Sequence, residues 1–430
     1  MYTKCFICHI KERVSFCFYP IFQEKCVPLQ TDKRHRLKKM EKLWNSNYLK
    51  AWSANFMMYF SFMILTPLLP LYLSEEFGAN KDQIGLVLSG YALTALLIRP
   101  FSGFFVDSFP RKMVLLVCYF LFFILFGGYI VAGSLLSFCI IRTLHGAPVG
   151  ATTVANSTVA IDVLHPTRRA EGIGYYGLSN NMATAISPTV GLLIYQWTNN
   201  YTIIFCVSLL TAGIGLLINS TLKLKPRECQ QSQLPKIQLD RFLLLKGWSQ
   251  ALCMAGFSFS YGVISTYLAI YGKEQLGITA GTGLFFALLS AGLMLSRLVG
   301  ARSLRKGLVV KNATHGILVS LFGYLLFAAV HNPIGYYGAA LIIGLGNGHM
   351  FPAFQTMFLN LAPNSQRGTA NSTLLTAWDL GVGLGIILGG IIVEHTSYDM
   401  AFWAAWISNL MGTLFFFAYA KGHFERNKVR

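Results

Sequence analysis

Four charged side chains sit inside otherwise apolar stretches, and their types suit proton and anion chemistry. Asp379 stands between Trp378 and a glycine-rich run of Gly381, Gly383, Gly385, Gly389 and Gly390. Desolvation and a nearby guanidinium act on such a carboxyl in opposite senses, so its proton affinity is tunable. Arg99, Arg142 and Arg297 are the matching cations. A charge at the centre of a bilayer costs about 2.5–3.5 kcal/mol on insertion scales, so each of the four calls for a partner or a function. His349 adds an imidazole able to carry a proton or bind a substrate near neutral pH. No Walker A sequence, no H-E-x-x-H and no G-x-S-x-G occurs, so neither direct use of ATP nor hydrolytic chemistry is indicated, and the dispersed histidines give no metal site.

The elements that must hold these groups follow from composition. The chain has 430 residues, 54% apolar and 12% charged, with a mean hydropathy of +0.51. Soluble domains carry about 25% charged residues, so a water-soluble enzyme is excluded as the default. Long apolar runs predict twelve transmembrane helices, at 51–73, 84–106, 113–132, 135–160, 172–194, 202–221, 248–270, 281–301, 309–330, 334–359, 369–393 and 400–420. Asp379 then lies ten residues into the eleventh helix, about 15 Å deep at 1.5 Å per residue and close to the midplane.

The charges orient the bundle. Of the 35 Lys and Arg residues, 30 fall in the termini and even-numbered loops, counting those at helix ends, and two (Lys81, Lys273) in odd-numbered loops. The positive-inside rule therefore puts both termini and the central loop in the cytoplasm, in a multi-pass protein of the cytoplasmic membrane. The net charge of +18 is explained by this topology without nucleic acid. The nine cysteines are scattered and form no disulfide framework. Cys5-Phe-Ile-Cys8-His9 matches the pattern of covalent haem attachment. Such attachment occurs on the far side of a bacterial membrane, and the segment is a poor signal peptide. Residues 1–39 read as an upstream extension ahead of Met40, and no cofactor is expected.

The two halves repeat each other. Trp52-Ser53 recurs as Trp248-Ser249, Arg99 as Arg297, and Gly146/Gly150 as Gly344/Gly348, and Pro166 to Tyr201 spans the same distance as Pro363 to Tyr398. The expected organisation is a basic arm (1–46), a six-helix half (47–221), a cytoplasmic linker (222–246), a second half (247–421) and a tail (422–430). Parallel repeats of this kind place a substrate site near the midplane between the halves, with alternating access by rocking. Such a unit is complete as a monomer.

From about residue 44 to the end, the sequence resembles the major facilitator superfamily, in particular its twelve-helix drug:proton antiporter-like branch. The strongest element is Gly103-Phe-Phe-Val-Asp107-Ser-Phe-Pro-Arg111-Lys112, similar to the family's loop motif between helices 2 and 3, with Pro110 where the family usually has glycine. Gly103 permits close helix approach, Asp107 can accept hydrogen bonds from a neighbouring helix N-terminus, and Arg111 and Lys112 hold the loop at the cytoplasmic face. In the family this cluster latches the halves together in the outward-facing state. Pro67-Leu-Leu-Pro70, Arg142-x-x-His145-Gly146 with Gly150, and Ala183-x-x-x-Ser187-Pro188-x-x-Gly191 resemble further family motifs, the last with Ala183, Ser187 and Leu192 in place of glycines.

The resemblance implies a cavity lined by helices 1, 4, 7 and 10. Its polar or aromatic candidates are Asn55, Tyr59, His145, Ser258, Tyr261, Asn347 and His349, with Trp378 beside Asp379 and with Asn180 and Asn181 as second choices. The expectation is a secondary transporter that exports a small organic compound in exchange for protons. Asp379, Arg142 and His349 are the candidates for proton coupling. Asp379 could instead be locked to Arg99, Arg142 or Arg297 as a structural pair. Arg99 and Arg297, near the cytoplasmic helix ends, are expected to snorkel, and Arg99 also lies one turn before Gly103. The alternatives are an uptake symporter on the same scaffold and a non-transporting haem protein using Cys5, Cys8 and His9.

Overall fold

A computed structural model describes residues 42–79, 81–224, 239–278 and 282–429, so the Cys5/Cys8/His9 arm lies outside the described residues. No strand occurs among these residues, and twelve long helices form two sets of six. The first set is α1 (Ser46–Met63) with a short α2 (Leu69–Phe77), α3 (Lys81–Ser108), α4 (Arg111–Val131), α5 (Leu135–Asp162), α6 (Arg169–Thr198) and α7 (Tyr201–Ser220). The second is α8 (Trp248–Gln275), α9 (Thr282–Arg305), α10 (Val309–Ala329), α11 (Pro333–Leu361), α12 (Arg367–His395) and α13 (Tyr398–Phe415). A π-helical turn (Phe416–Ala420) joins α13 to α14 (Lys421–Asn427).

The helix boundaries follow local chemistry. Asn45, Ser134, Asn200, Asn332 and Ser397 each cap a helix by accepting a backbone N–H two or three residues on. Gly78 ends α2 in the left-handed region at φ 62°. Two expectations are corrected in detail. The first predicted span is broken at 64–68, just ahead of Pro70, which takes an early position in α2, where its missing N–H costs nothing. The last helix does not stop at 420: it runs on to Asn427, and Val429 N–H donates to the Asn360 carbonyl.

Eight of the helical stretches are apolar enough, by length and composition, to cross a membrane. The four long helices that fall short, α1, α5, α6 and α11, carry much of the buried polar inventory, including Asn55, Thr152, Thr153, Asn156, Asn181, Asn347 and Gln355. A helix shielded from lipid on its polar face tolerates such residues.

The internal repeat is visible in the packing. Gly146 and Gly150 lie against the α3 backbone at Tyr91 and Ala95, and Gly344 and Gly348 lie in the same way against α9 at Leu289 and Leu293. A Cβ at any of the four would overlap a carbonyl, so the helix pairs touch only because these sites are glycine. Each half has its own aromatic core: Tyr119, Phe122, Phe126, Tyr129 and Phe138 in the first, Phe285, Phe327, Tyr336 and Phe402 in the second. A third cluster joins Ile161 and Ile173 of the first half to Leu304, Met357, Phe358 and Leu374 of the second.

Candidate functional site

The central feature is an ion pair between the halves. Arg99 Nε on α3 lies 2.5 Å from Asp379 Oδ2 on α12, and Arg99 also donates to Thr153 Oγ1 on α5 at 3.3 Å. The Asp379 side chain keeps 26% of its exposure, whereas that of Arg99 keeps 11%. The carboxylate is therefore the accessible end of the pair. Tyr59 on α1 lies within electrostatic range of Arg99, Asp379 and Arg297, so residues of both halves share this region. The expectation of snorkelling is corrected for both arginines. Arg99 turns inward to the carboxylate, and Arg297 is buried against α6 at Gly177, where a Cβ would overlap its guanidinium. Distance from a helix end does not reveal which face a side chain occupies.

Arg142 lies elsewhere in the first half. It donates to the Tyr129 hydroxyl at 3.3 Å and stacks over the rings of Phe62 and Tyr91, 4.7 and 4.5 Å from their centroids. It makes no ion pair among the described residues; cation–π contact takes that place. His145 is fully buried next to it, bonded through Nδ1 to the same Tyr129 hydroxyl at 2.8 Å and packed on Phe122 and Phe126. Asn55 is the hub of a small network, donating to Ser179 and accepting from Tyr176 and Asn156.

In the second half, Trp378, the chain neighbour of Asp379, meets the Tyr261 ring tilted and the Phe351 ring edge-on, with centroids 5.6 and 5.4 Å away. Ser258 is buried where α8 meets α12 at Gly381. Asn347 and His349 are turned towards α10: Asn347 accepts from Ser320, and His349 pairs with Asn312 through its ring and its carbonyl. The structure thus pairs Arg99 with Asp379, brings Tyr59 within electrostatic range of both and of Arg297, sets Trp378 against Tyr261 and Phe351, and turns His349 to Asn312. The hydropathy of α11 gives little hint of which face meets α10.

The motif residues assemble a second cluster at one end of the bundle, where α3 ends and α12 begins. Asp107 accepts from Gly368 N–H at 2.9 Å, Thr369 N–H at 2.8 Å and the Thr369 hydroxyl at 3.1 Å, all in the first turn of α12. Unbonded helix N-termini favour such anions. Arg111 bridges Asp107 at 3.1 Å and Asp162, and Asp162 pairs with Arg367 at 2.7 Å. Lys112 is half-buried and makes no ion pair among the described residues. Pro110 has φ −56°, which its ring allows, so the turn needs no glycine there. Gly103 rests directly on Gly368, Thr369 and Ser372. Sequence reasoning missed the strap that crosses this junction. Phe242 packs on Phe101 and Phe104, the Arg241 carbonyl accepts from Thr369, and the Leu244 N–H donates to Thr373.

A twelve-helix bundle in two halves, with a charge pair across its middle and a second contact at one end, has the architecture of a multi-pass membrane transporter. The sequence matches the Major Facilitator Superfamily over residues 51–385 and 313–429, and the chain belongs to that family. It is 24% identical to the "Uncharacterized MFS-type transporter YhhS" of Escherichia coli over 82% of this chain and 87% of the relative. It is also 24% identical to the staphylopine export protein of Staphylococcus aureus, over 82% of this chain and 90% of the relative. Among solved structures, the human organic anion transporter TETRAN superposes with a TM-score of 0.73 at 16% identity, covering 86% of this chain and 98% of that one. FucP in its outward conformation gives 0.73 at 13% identity, over 87% and 98%.

Proposed function

We propose that the protein exports a small organic compound in exchange for protons, by alternating access. The observation that carries this reading is the Arg99–Asp379 pair, the one ion pair described at mid-depth, which joins opposite halves and exposes its carboxylate. Protonation of Asp379 would cancel the charge that holds Arg99, so proton uptake and separation of the halves become one event. Arg142, a guanidinium held by a hydroxyl and two rings, supports the proton step, and His349 is the alternative carrier. Tyr59, Tyr261 and Trp378 are the first candidates for the substrate surface, and Asn55, His145, Ser258 and Asn347 are the further ones.

Asp107, Arg111 and their α12 partners hold the cytoplasmic side shut, an arrangement that suits an outward-facing state. The name of the staphylopine exporter, a relative of similar length, supports the outward direction. The protein works as a monomer in the cytoplasmic membrane with both termini inside, as the Lys and Arg distribution argues.

The test uses everted vesicles with an imposed proton gradient, a pH-sensitive dye and a compound panel. A compound that collapses the gradient in wild-type vesicles and accumulates in their lumen supports export by antiport. Compounds that instead leave the lumen down the proton gradient overturn the direction.

A further inference from the structure

The internal repeat contains a broken symmetry. Arg99 and Arg297 are related by an offset of 198, and the same offset carries Asp379 on α12 back to Asn181 on α6. The helix pairs also correspond, since α3 packs on α12 as α9 packs on α6. In one pair the guanidinium meets a carboxylate. In the other, the position of that carboxylate holds a neutral amide.

Both groups at the neutral position lack what they need. Arg297 is 7% exposed and Asn181 9%. Arg297 Nε and Asn181 Nδ2 are buried N–H donors without a hydrogen-bond partner among the described residues, and no acid pairs with Arg297 there. The Arg297 guanidinium crosses α6 at Gly177, and Asn181 follows one turn later on the same face. Two orphan donors, one of them cationic, are thus directed to one stretch of α6, with an acceptor missing. Buried polar groups without partners are rare, and leaving a charged one unmet costs more than a neutral one.

We propose that Arg297 and Asn181 bind an anionic group of the transported compound, which is therefore an organic acid presenting a carboxylate between α6 and α9. The bound carboxylate would occupy the place that Asp379 fills in the related pair, accepting from the guanidinium on one side and the amide on the other. This inference rests on the transport reading above, but concerns substrate class and not coupling.

The test is thermal unfolding of the full chain in lipid nanodiscs, titrated with benzoate, phenylacetate and succinate and with their amides. The acids are expected to raise the Tm and the amides to leave it unchanged. Arg297→Gln should weaken the acid response on the order of tenfold to a hundredfold, the loss of one charged hydrogen-bonding partner. Arg297→Lys should keep part of it. Asn181→Asp supplies the carboxylate within the chain, so it should raise the ligand-free Tm and abolish the acid response. That variant keeps the proposal testable if Arg297→Gln does not fold. Acids that raise the wild-type Tm but do not collapse the gradient in everted vesicles would count against the coupling reading alone, which separates its failure from failure of this inference. A wild type that responds to no acid, to amides equally, or to chloride and phosphate as strongly overturns the proposal. So does an undiminished response in Arg297→Gln or Asn181→Asp.

Discussion

Arg99 and Asp379 meet at 2.5 Å across the boundary between the two six-helix halves, one from α3 and the other from α12. It is one of several polar contacts between the halves, beside those of Asp107 with Gly368 and Thr369 and of Asp162 with Arg367.

The pair has a measurable coupling. Asp379→Asn leaves Arg99 with Thr153 as its remaining described partner, at a cost of about 1–3 kcal/mol. Arg99→Gln should cost a similar amount, and the double variant should be more stable than the sum of the single losses implies. Thermal unfolding of the four proteins in one detergent gives the cycle; strictly additive losses would contradict the coupling.

On the proposed reading, the Asp107 contact with the first turn of α12 sets the balance between closed and open cytoplasmic ends. Asp107→Asn removes the charge that faces the first turn of α12 and weakens the contact by about 1–3 kcal/mol, roughly tenfold or more in population. Spin labels at Phe109→Cys and Lys306→Cys, in a cysteine-free background, should report a longer distance population in the variant. An unchanged distribution would show that Asp107 does not hold the closure.

Close approach at Gly103 is equally testable. A Cβ there would meet the Gly368 carbonyl and the Thr369 Cα, neither of which can swing away. Gly103→Ala should impair closure by about 1–3 kcal/mol of overpacking and slow transport roughly tenfold, with normal insertion. Gly127→Ala, where nothing lies within 4 Å, should transport as the wild type does. Equal rates for the two would remove the steric argument.

The strap should contribute a comparable amount. Phe242→Ala loses ring contacts with Phe101 and Phe104, about 0.5–1.5 kcal/mol each. The same label pair should show a shift towards the open state of the same order as that of Asp107→Asn. A larger shift would make the strap, and not the aspartate, the main closure.

Much of this was legible in the sequence, for identifiable reasons. Eight of the twelve long helices follow from apolar length alone, while the other four carry buried polar residues, and the repeat follows from matched residues such as Gly146/Gly150 and Gly344/Gly348, whose packing agrees. The Asp107 cluster was legible because Gly103, Asp107, Arg111 and Lys112 resemble the loop motif of the family. Asp379 stood out as the lone acid at mid-depth, with Arg99 as one of three possible partners. The choice among the three was not legible, because it depends on how α3 and α12 are rotated across the boundary. The same holds for His349 and Asn347: on a helix of nearly uniform hydropathy, neither reveals that it faces α10. The strap at 239–245 carries no periodic signal, so its contacts with α3 and α12 emerge only in three dimensions.

The most direct test of the coupling role uses proteoliposomes and a compound that collapses the gradient in everted vesicles. Exchange of labelled for unlabelled compound and proton-driven accumulation are measured for the wild type and for Asp379→Asn. The account predicts that the variant keeps exchange and loses accumulation, because binding and rocking survive while the proton no longer drives them. Accumulation at the wild-type level in Asp379→Asn would contradict it and leave the Arg99–Asp379 pair a structural contact.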